Sequence, residues 1–256
     1  MNKLLCFDID GTLYTDEKVV PASAKLAIQQ LQRAGYEVAI ATGRGPFMFE
    51  SLRQELNIDT YISFNGSVVV HNNEVIAEKT LPLPLLKKLY NEAQTKGLTM
   101  VFLEKDGFYT DVAGDHVVKE SLHQLKLPYP ALTETLTSRT KINQALLYCN
   151  VDEEAHFAEQ FPELRFVRWH EASVDVLPGA GSKAEGIAEL SRHVGLTIND
   201  VIAFGDGLND IEMLREAGIG VAMANGKQEA KAEADLVTGD VAEDGIHQAI
   251  ERLQLL

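Results

Sequence analysis

Short, uninterrupted apolar runs alternate with helical spacing through the first eighty residues of the chain. Leu4-Leu5-Cys6-Phe7, Val38-Ala39-Ile40-Ala41 and Tyr61-Ile62-Ser63-Phe64 read as buried strands, because no polar position alternates within them to mark a wet face. Between the first two, Ala24, Ala27, Ile28, Leu31 and Ala34 recur at helical spacing, with Pro21 at the start and Gly35 at the stop. Pro46 opens a second helix through Phe49, Leu52 and Leu56. A βαβαβ order of this kind predicts a parallel sheet with right-handed crossovers.

The rhythm then changes. Val68–Val70 and Val75–Ala77 flank Asn72-Asn73, and Leu98–Leu103 and Phe108–Val112 flank Asp106-Gly107, both read as hairpins. Helices are predicted from Pro84 to Lys96 and from Asp115 to Lys126, and strands at Gln144–Cys149, Arg165–Trp169 and Val174–Leu177. From Pro178 the alternation returns. Helices are predicted at Ser182–His193, Asn209–Ala217, Gln228–Ala234 and Glu243–Leu253, and strands at Val201–Phe204, Ile219–Met223 and Asp235–Thr238. The simplest organisation is an α/β parallel-sheet core of Rossmann-like type, residues 1–80 plus 178–256, with an α+β module at 81–177 inserted into it.

Composition narrows the class without naming an activity. At 256 residues, 45% hydrophobic and 24% charged, the chain is an ordinary globular protein with ample core. The net charge of −15 argues against general affinity for nucleic acid or anionic membranes. No segment offers about 18 uninterrupted apolar residues, and Asp8 arrives too soon for a signal-peptide core. Two cysteines, Cys6 and Cys149, make no disulfide framework and point to a reducing, cytoplasmic compartment. An anionic substrate would therefore need locally concentrated positive charge, from a metal, a few Lys or Arg, or helix N-termini.

The chemistry gathers where strands end. Phe7 runs into Asp8-Ile9-Asp10-Gly11-Thr12, and two carboxylates two residues apart share a direction if the strand persists that far. Like charges so close repel unless a cation intervenes, and no basic residue follows until Lys18, so a metal is the natural counter-charge. Oxygen-only ligands favour Mg²⁺. Thr42 and Asp206 also follow strand runs, so all belong to the carboxyl edge of the sheet, where ligands collect. Gly205-Asp206-Gly207-Leu208-Asn209-Asp210 repeats the opening logic of strand, tight turn and clustered carboxylates. Lys183 stands in the first turn of a helix, where the macrodipole disfavours a cation, and such a departure from local rules is expected at functional sites.

In this order the residues resemble the haloacid dehalogenase superfamily of phosphotransferases. Asp8-x-Asp10-Gly11-Thr12 is similar to its first motif, Thr42 to its second, Lys183 to its third, and Gly205-Asp206-x-x-Asn209-Asp210 to its fourth. The insertion between the second and third motifs matches a type C2 (C2B) cap, and Phe64-Asn65-Gly66 and Val221–Asn225 are similar to features of the Cof-type subgroup. The resemblance implies a Mg²⁺-dependent phosphatase of small phosphorylated metabolites, working through an aspartyl-phosphate. It implies Asp8 as nucleophile and Asp10 as general acid/base, with the metal held by Asp8, the Asp10 carbonyl and Asp206. Ile9, Thr42, Gly43, Lys183 and Asn209 would bind the phosphate, and Asp210 would support the metal indirectly.

Other chemistries fit less well. Six positions after Cys6 and Cys149 stand Thr12 and Ala155, not the Arg of a cysteine phosphatase. Gly179-Ala180-Gly181-Ser182-Lys183 lacks the Gly-Lys-Ser/Thr of a P-loop, and the seven histidines form no close metal pair. A phosphosugar mutase of the same superfamily would share all four motifs. A phosphoacceptor signalling module would share the carboxylates, Thr and Lys, but not the inserted cap or Asp10.

Overall fold

The computed structural model describes residues 3–133, 141–179 and 181–256. Residues 134–140 of the inserted module, and Ala180 of the Gly179–Lys183 run, lie outside the described residues. The chain divides into two compact units, one of Met1–Gly43, Glu50–Ala77 and Ser182–Leu256, the other of Arg44–Phe49 and Glu78–Gly181. Boundaries at 80 and 178 are expected from the sequence pattern; the compact units divide at 77 and 182, and the short stretch after Gly43 groups with the second unit.

In the first unit, β1 (Leu4–Phe7) is the hub of an eight-stranded sheet. It pairs in parallel with β2 (Glu37–Ala41) on one side, and on the other with β12 (Val201–Gly205), almost two hundred residues later in sequence. All four β1 residues are fully buried, which is why their run carries no polar alternation. Beyond β2 lie β3 (Tyr61–Ser63), parallel, and β4 (Val68–His71), antiparallel, and then β5 (Glu74–Glu78) across the turn Asn72-Asn73. Both turn residues have positive φ, as a two-residue hairpin turn demands. Beyond β12 lie β13 (Ile219–Ala222) and β14 (Leu236–Val237), both parallel. Strand order therefore reverses at β1, with β2 and β12 leaving it in opposite directions, and the crevice above such a reversal is where open α/β sheets bind ligands.

Helix α1 (Ala22–Arg33) buries Ala24, Ala27, Ile28 and Leu31, the stripe that its spacing predicts. The helix predicted from Pro46 is a short 3₁₀ turn at Pro46–Met48 followed by α2 (Glu50–Leu56). Helix α6 (Lys183–His193) packs Ala184, Ile187 and Leu190 against Leu4, Cys6, Ala39 and Ile62. Further helices of this unit are α7 (Ile211–Glu216), α8 (Gln228–Glu233) and α9 (Gly245–Arg252).

The second unit has its own sheet and core. Strands β10 (Leu164–His170), β11 (Ser173–Pro178), β9 (Gln144–Tyr148), β6 (Met100–Glu104) and β7 (Gly107–Thr110) run antiparallel in that order, and β8 (Ala131–Leu132) joins β7 in parallel. Helices α3 (Leu83–Thr95) and α5 (Val151–Gln160) bury Leu86, Leu89 and Phe157 against Met100, Phe102, Leu147 and Val176. The sequence pattern did not predict α5, although its start is written plainly: Asn150 and Glu153 form a reciprocal cap, each side chain bonding the other's backbone N–H at 2.9 and 2.8 Å. Its apolar face is thin, with Phe157 alone buried, so hydrophobic spacing could not find it. Among the described residues no helix is long and apolar enough to cross a membrane.

Close approach of α6 to the strands has a testable consequence. A Cβ on Gly186 would lie 2.9 Å from Gly66 Cα and nearer still to the Ile62 side chain. Helix propensity favours Gly186→Ala by about 1 kcal/mol, whereas overpacking at a backbone contact costs about 1–3 kcal/mol. The steric term wins, so denaturant unfolding of Gly186→Ala is expected to show lower stability; a gain would contradict this packing.

Candidate active site

Alternation along β1 sets the first contact. Leu4 and Cys6 face α6, and Asp8, whose N–H still bonds the Phe204 carbonyl at 3.0 Å, continues that face beyond the strand. The residue it meets is the first of α6. Lys183 Nζ lies 2.5 Å from Asp8 Oδ1 and 2.6 Å from Asp210 Oδ1, with the lysine side chain wholly buried. The cation at the helix start is thus held by two carboxylates against the unfavourable end of the helix dipole.

Asp210 follows β12 in the tight turn Gly205–Asn209. Its second oxygen accepts the backbone N–H groups of Asp206 (2.9 Å) and Gly207 (2.8 Å), so one fully buried carboxylate ties the turn together and anchors Lys183. Asp206 accepts a bond from the Thr12 hydroxyl at 3.3 Å. Carboxylate oxygens of Asp8, Asp206 and Asp210 all lie within 4.8 Å of one another.

Asp10 behaves differently. The strand does not persist to it: the Ile9 carbonyl accepts from Leu13 N (3.0 Å) and Tyr14 N (2.7 Å), turning the chain immediately. Asp10 stays one-third exposed and takes its own cation, Lys18, at 2.7 Å. Lys18, the first basic residue after the two carboxylates, therefore supplies counter-charge to Asp10 that the sequence reading expects from a metal. A return of the chain, closed by Thr15 N–H on the Val19 carbonyl at 3.1 Å, brings Lys18 back across eight residues. Distance along the sequence concealed this pairing.

The remaining predicted residues sit on the same edge. Ile9 is fully buried, and Thr42, also buried, follows the last residue of β2 and receives a backbone bond from Asn65 at 3.0 Å. Gly43 lies against the Asn65 carboxamide, and Asn209 Nδ2 donates to Asn65 Oδ1 at 3.2 Å. Sequence reasoning took Asn65 only as part of a subgroup resemblance and assigned it no place in the site.

Electrostatics follow from crowding. Burial pushes the Asp8 carboxyl well above the usual carboxylate range; Lys183 pulls it back, and Asp210, Asp206 and Asp10 push it up further. Burial, then Asp210, raise Asp206 to about 7, against Lys183 and the Thr12 hydroxyl. Burial opposes the charge on Lys183, but Asp210 and Asp8 outweigh it and hold its pKa above the ordinary lysine value. The carboxyl groups of Asp8, Asp10, Asp206 and Asp210 outnumber the ammonium groups of Lys183 and Lys18 by two. An oxygen-only donor set with that surplus fits a hard divalent cation.

Comparison with known proteins agrees with this geometry. The family model of haloacid dehalogenase-like hydrolases matches residues 5–250. The chain is 43% identical over 255 residues to YkrA of Bacillus subtilis (strain 168), covering 100% of this chain and 99% of that one. It is 30% identical over 268 residues to the pyridoxal phosphate phosphatase YbhA of Escherichia coli (strain K12), covering 97% of each. A solved subclass IIB sugar phosphatase of the same superfamily superposes with a TM-score of 0.91 at 32% identity, over 99% of this chain and 100% of that one. Matched to that family model over nearly its whole length, the chain belongs to the haloacid dehalogenase-like hydrolases, as a Cof-type phosphatase.

Proposed function

We propose that this phosphatase is Mg²⁺-dependent, hydrolyses small phosphorylated metabolites of the sugar- or cofactor-phosphate kind in the cytoplasm, and works through an aspartyl-phosphate on Asp8. One observation carries the reading. A buried carboxylate, Asp8, is gripped on one oxygen by a buried ammonium and clustered with two further carboxylates, a grouping that added positive charge would stabilise. The substrate class is supported by the relatives, one a pyridoxal phosphate phosphatase and one a sugar phosphatase. Two free, buried thiols suit a reducing compartment.

Phosphate monoesters resist hydrolysis because an anionic phosphorus centre repels nucleophiles and because an alkoxide leaves badly. Lys183 holds Asp8 through Oδ1, which leaves Oδ2 to attack phosphorus as the ester P–O bond breaks. Asp10 gives its proton to the departing oxygen. In the second half, Asp10 takes a proton from water as that water attacks phosphorus; the P–O bond to Asp8 breaks and the carboxylate is regenerated. Backbone at Ile9 and Gly43, with Thr42, Lys183 and Asn209, binds the phosphoryl oxygens, while Asp210 fixes Lys183 and the Asp206 turn. Asp8, the Asp10 carbonyl and Asp206 would hold Mg²⁺, which would supply positive charge between the phosphate and the carboxylate.

A panel of sugar phosphates and pyridoxal phosphate, assayed with Mg²⁺ for released inorganic phosphate, tests the activity; no release from any member counts against it. Asp8→Asn is expected to lower turnover on the order of 10⁴-fold or more and to abolish acid-stable label from a radioactive phosphate donor. Asp10→Ala is expected to cost about 10²–10⁴-fold while Asp8 can still be labelled, and wild-type rates in either variant would refute the assigned roles. Chelation by EDTA is expected to silence turnover and excess Mg²⁺ to restore it. Full activity in EDTA would exclude the metal site.

A further inference from the structure

The turn after β3 carries backbone strain that its neighbours explain. Phe64 and Asn65 both have φ of 49°, and Gly66 follows at 95°. Three successive positive φ values, one on a bulky aromatic, persist only where the surroundings over-determine them, and such strain gathers at functional sites. Asn65 and Gly66 are fastened to different parts of the site. The Asn65 N–H bonds the Thr42 carbonyl at 3.0 Å. Gly43 leaves the room that the Asn65 carboxamide fills, since a Cβ there would lie 3.0 Å from its Nδ2. Gly66 runs against the Ser182 carbonyl, one residue before Lys183, where any Cβ would collide. The Asn65 carboxamide, on a residue only 2% exposed, accepts the Asn209 Nδ2 bond at 3.2 Å.

Asn65 therefore joins segments that sequence separates by more than a hundred residues. Asn209 stands on the turn after β12, partly exposed, and its carboxamide could rotate about two χ angles. Accepting one of its N–H groups fixes the plane of the amide and leaves the other N–H for an anion. Resting on the reading of Asn209 as a phosphoryl ligand, we infer that Asn65 is a positioning residue for phosphate binding: its buried carboxamide, wedged beside Gly43, presents the Asn209 amide to the phosphoryl oxygens. The left-handed backbone is what aims it, and Asn tolerates that conformation better than most residues with a side chain.

A double-mutant cycle on the full-length, Mg²⁺-loaded chain tests this. p-Nitrophenyl phosphate serves as substrate and inorganic phosphate as competitive inhibitor. Asn65→Gly removes the carboxamide and accepts the positive φ without penalty, so its unfolding midpoint is expected to hold. Asn65→Gly and Asn209→Ala are each expected to weaken phosphate inhibition about tenfold, whereas the double variant falls within roughly twofold of Asn209→Ala alone. Asn65→Ala repeats the cycle with a Cβ retained, and equal coupling in both assigns the effect to the carboxamide rather than to backbone freedom. Independent losses multiplying to roughly 100-fold, or unchanged phosphate inhibition in Asn65→Gly, would overturn the inference. If Asn209→Ala alone left phosphate inhibition untouched, the phosphate-ligand reading of Asn209 would be the part that failed.

Discussion

A lysine with its whole side chain buried is tolerated only when carboxylates meet it, and in this chain Lys183 is met by Asp8 and Asp210 at once. That ion triad is the constraint from which the rest of the site follows. Removing one partner of a buried pair typically costs about 3–5 kcal/mol, because the other charge is left unpaired in a poor dielectric. The triad consequently ties three chain segments, the end of β1, the start of α6 and the turn after β12, into one arrangement. Asp210 serves twice, since the oxygen not bonded to Lys183 gathers the N–H groups of Asp206 and Gly207.

The same triad gathers more carboxyl groups than ammonium groups. One ammonium meets three carboxyl groups around Asp8, and burial first, then the neighbouring carboxylates, displaces Asp8 and Asp206 upward. Asp10 stands apart from this cluster, more exposed and paired with Lys18. Two carboxylates two residues apart thus acquire different environments from a single turn of the chain at Ile9.

Much of this was legible beforehand because buried parallel strands leave an unmistakable trace. The runs at Leu4–Phe7, Val38–Ala41 and Val201–Phe204 are apolar because both faces of the strands are covered, and polar residues placed just past their ends stand out against them. The anomaly of a lysine opening a helix at Lys183 was visible for the same reason, as a break in an otherwise consistent local pattern. Helix α5 was missed because its cap, Asn150 with Glu153, is a hydrogen-bonding signal, and hydrophobic spacing does not register it. The pairing of Lys18 with Asp10 is not legible in the sequence, because distance along the chain says little once a turn intervenes.

By itself, then, the amino-acid order determined the alternation of strands and helices, the long interruption within it, and the chemistry offered at each strand end, since all of these are local or periodic properties of the chain. Only the tertiary structure decided that β12 lies directly beside β1, that Lys183 is sealed between Asp8 and Asp210, and that Asn65 reaches Asn209. Those contacts depend on which strand neighbours which and on how closely backbones approach at Gly66 and Gly186, quantities set by packing in three dimensions that no one-dimensional pattern encodes.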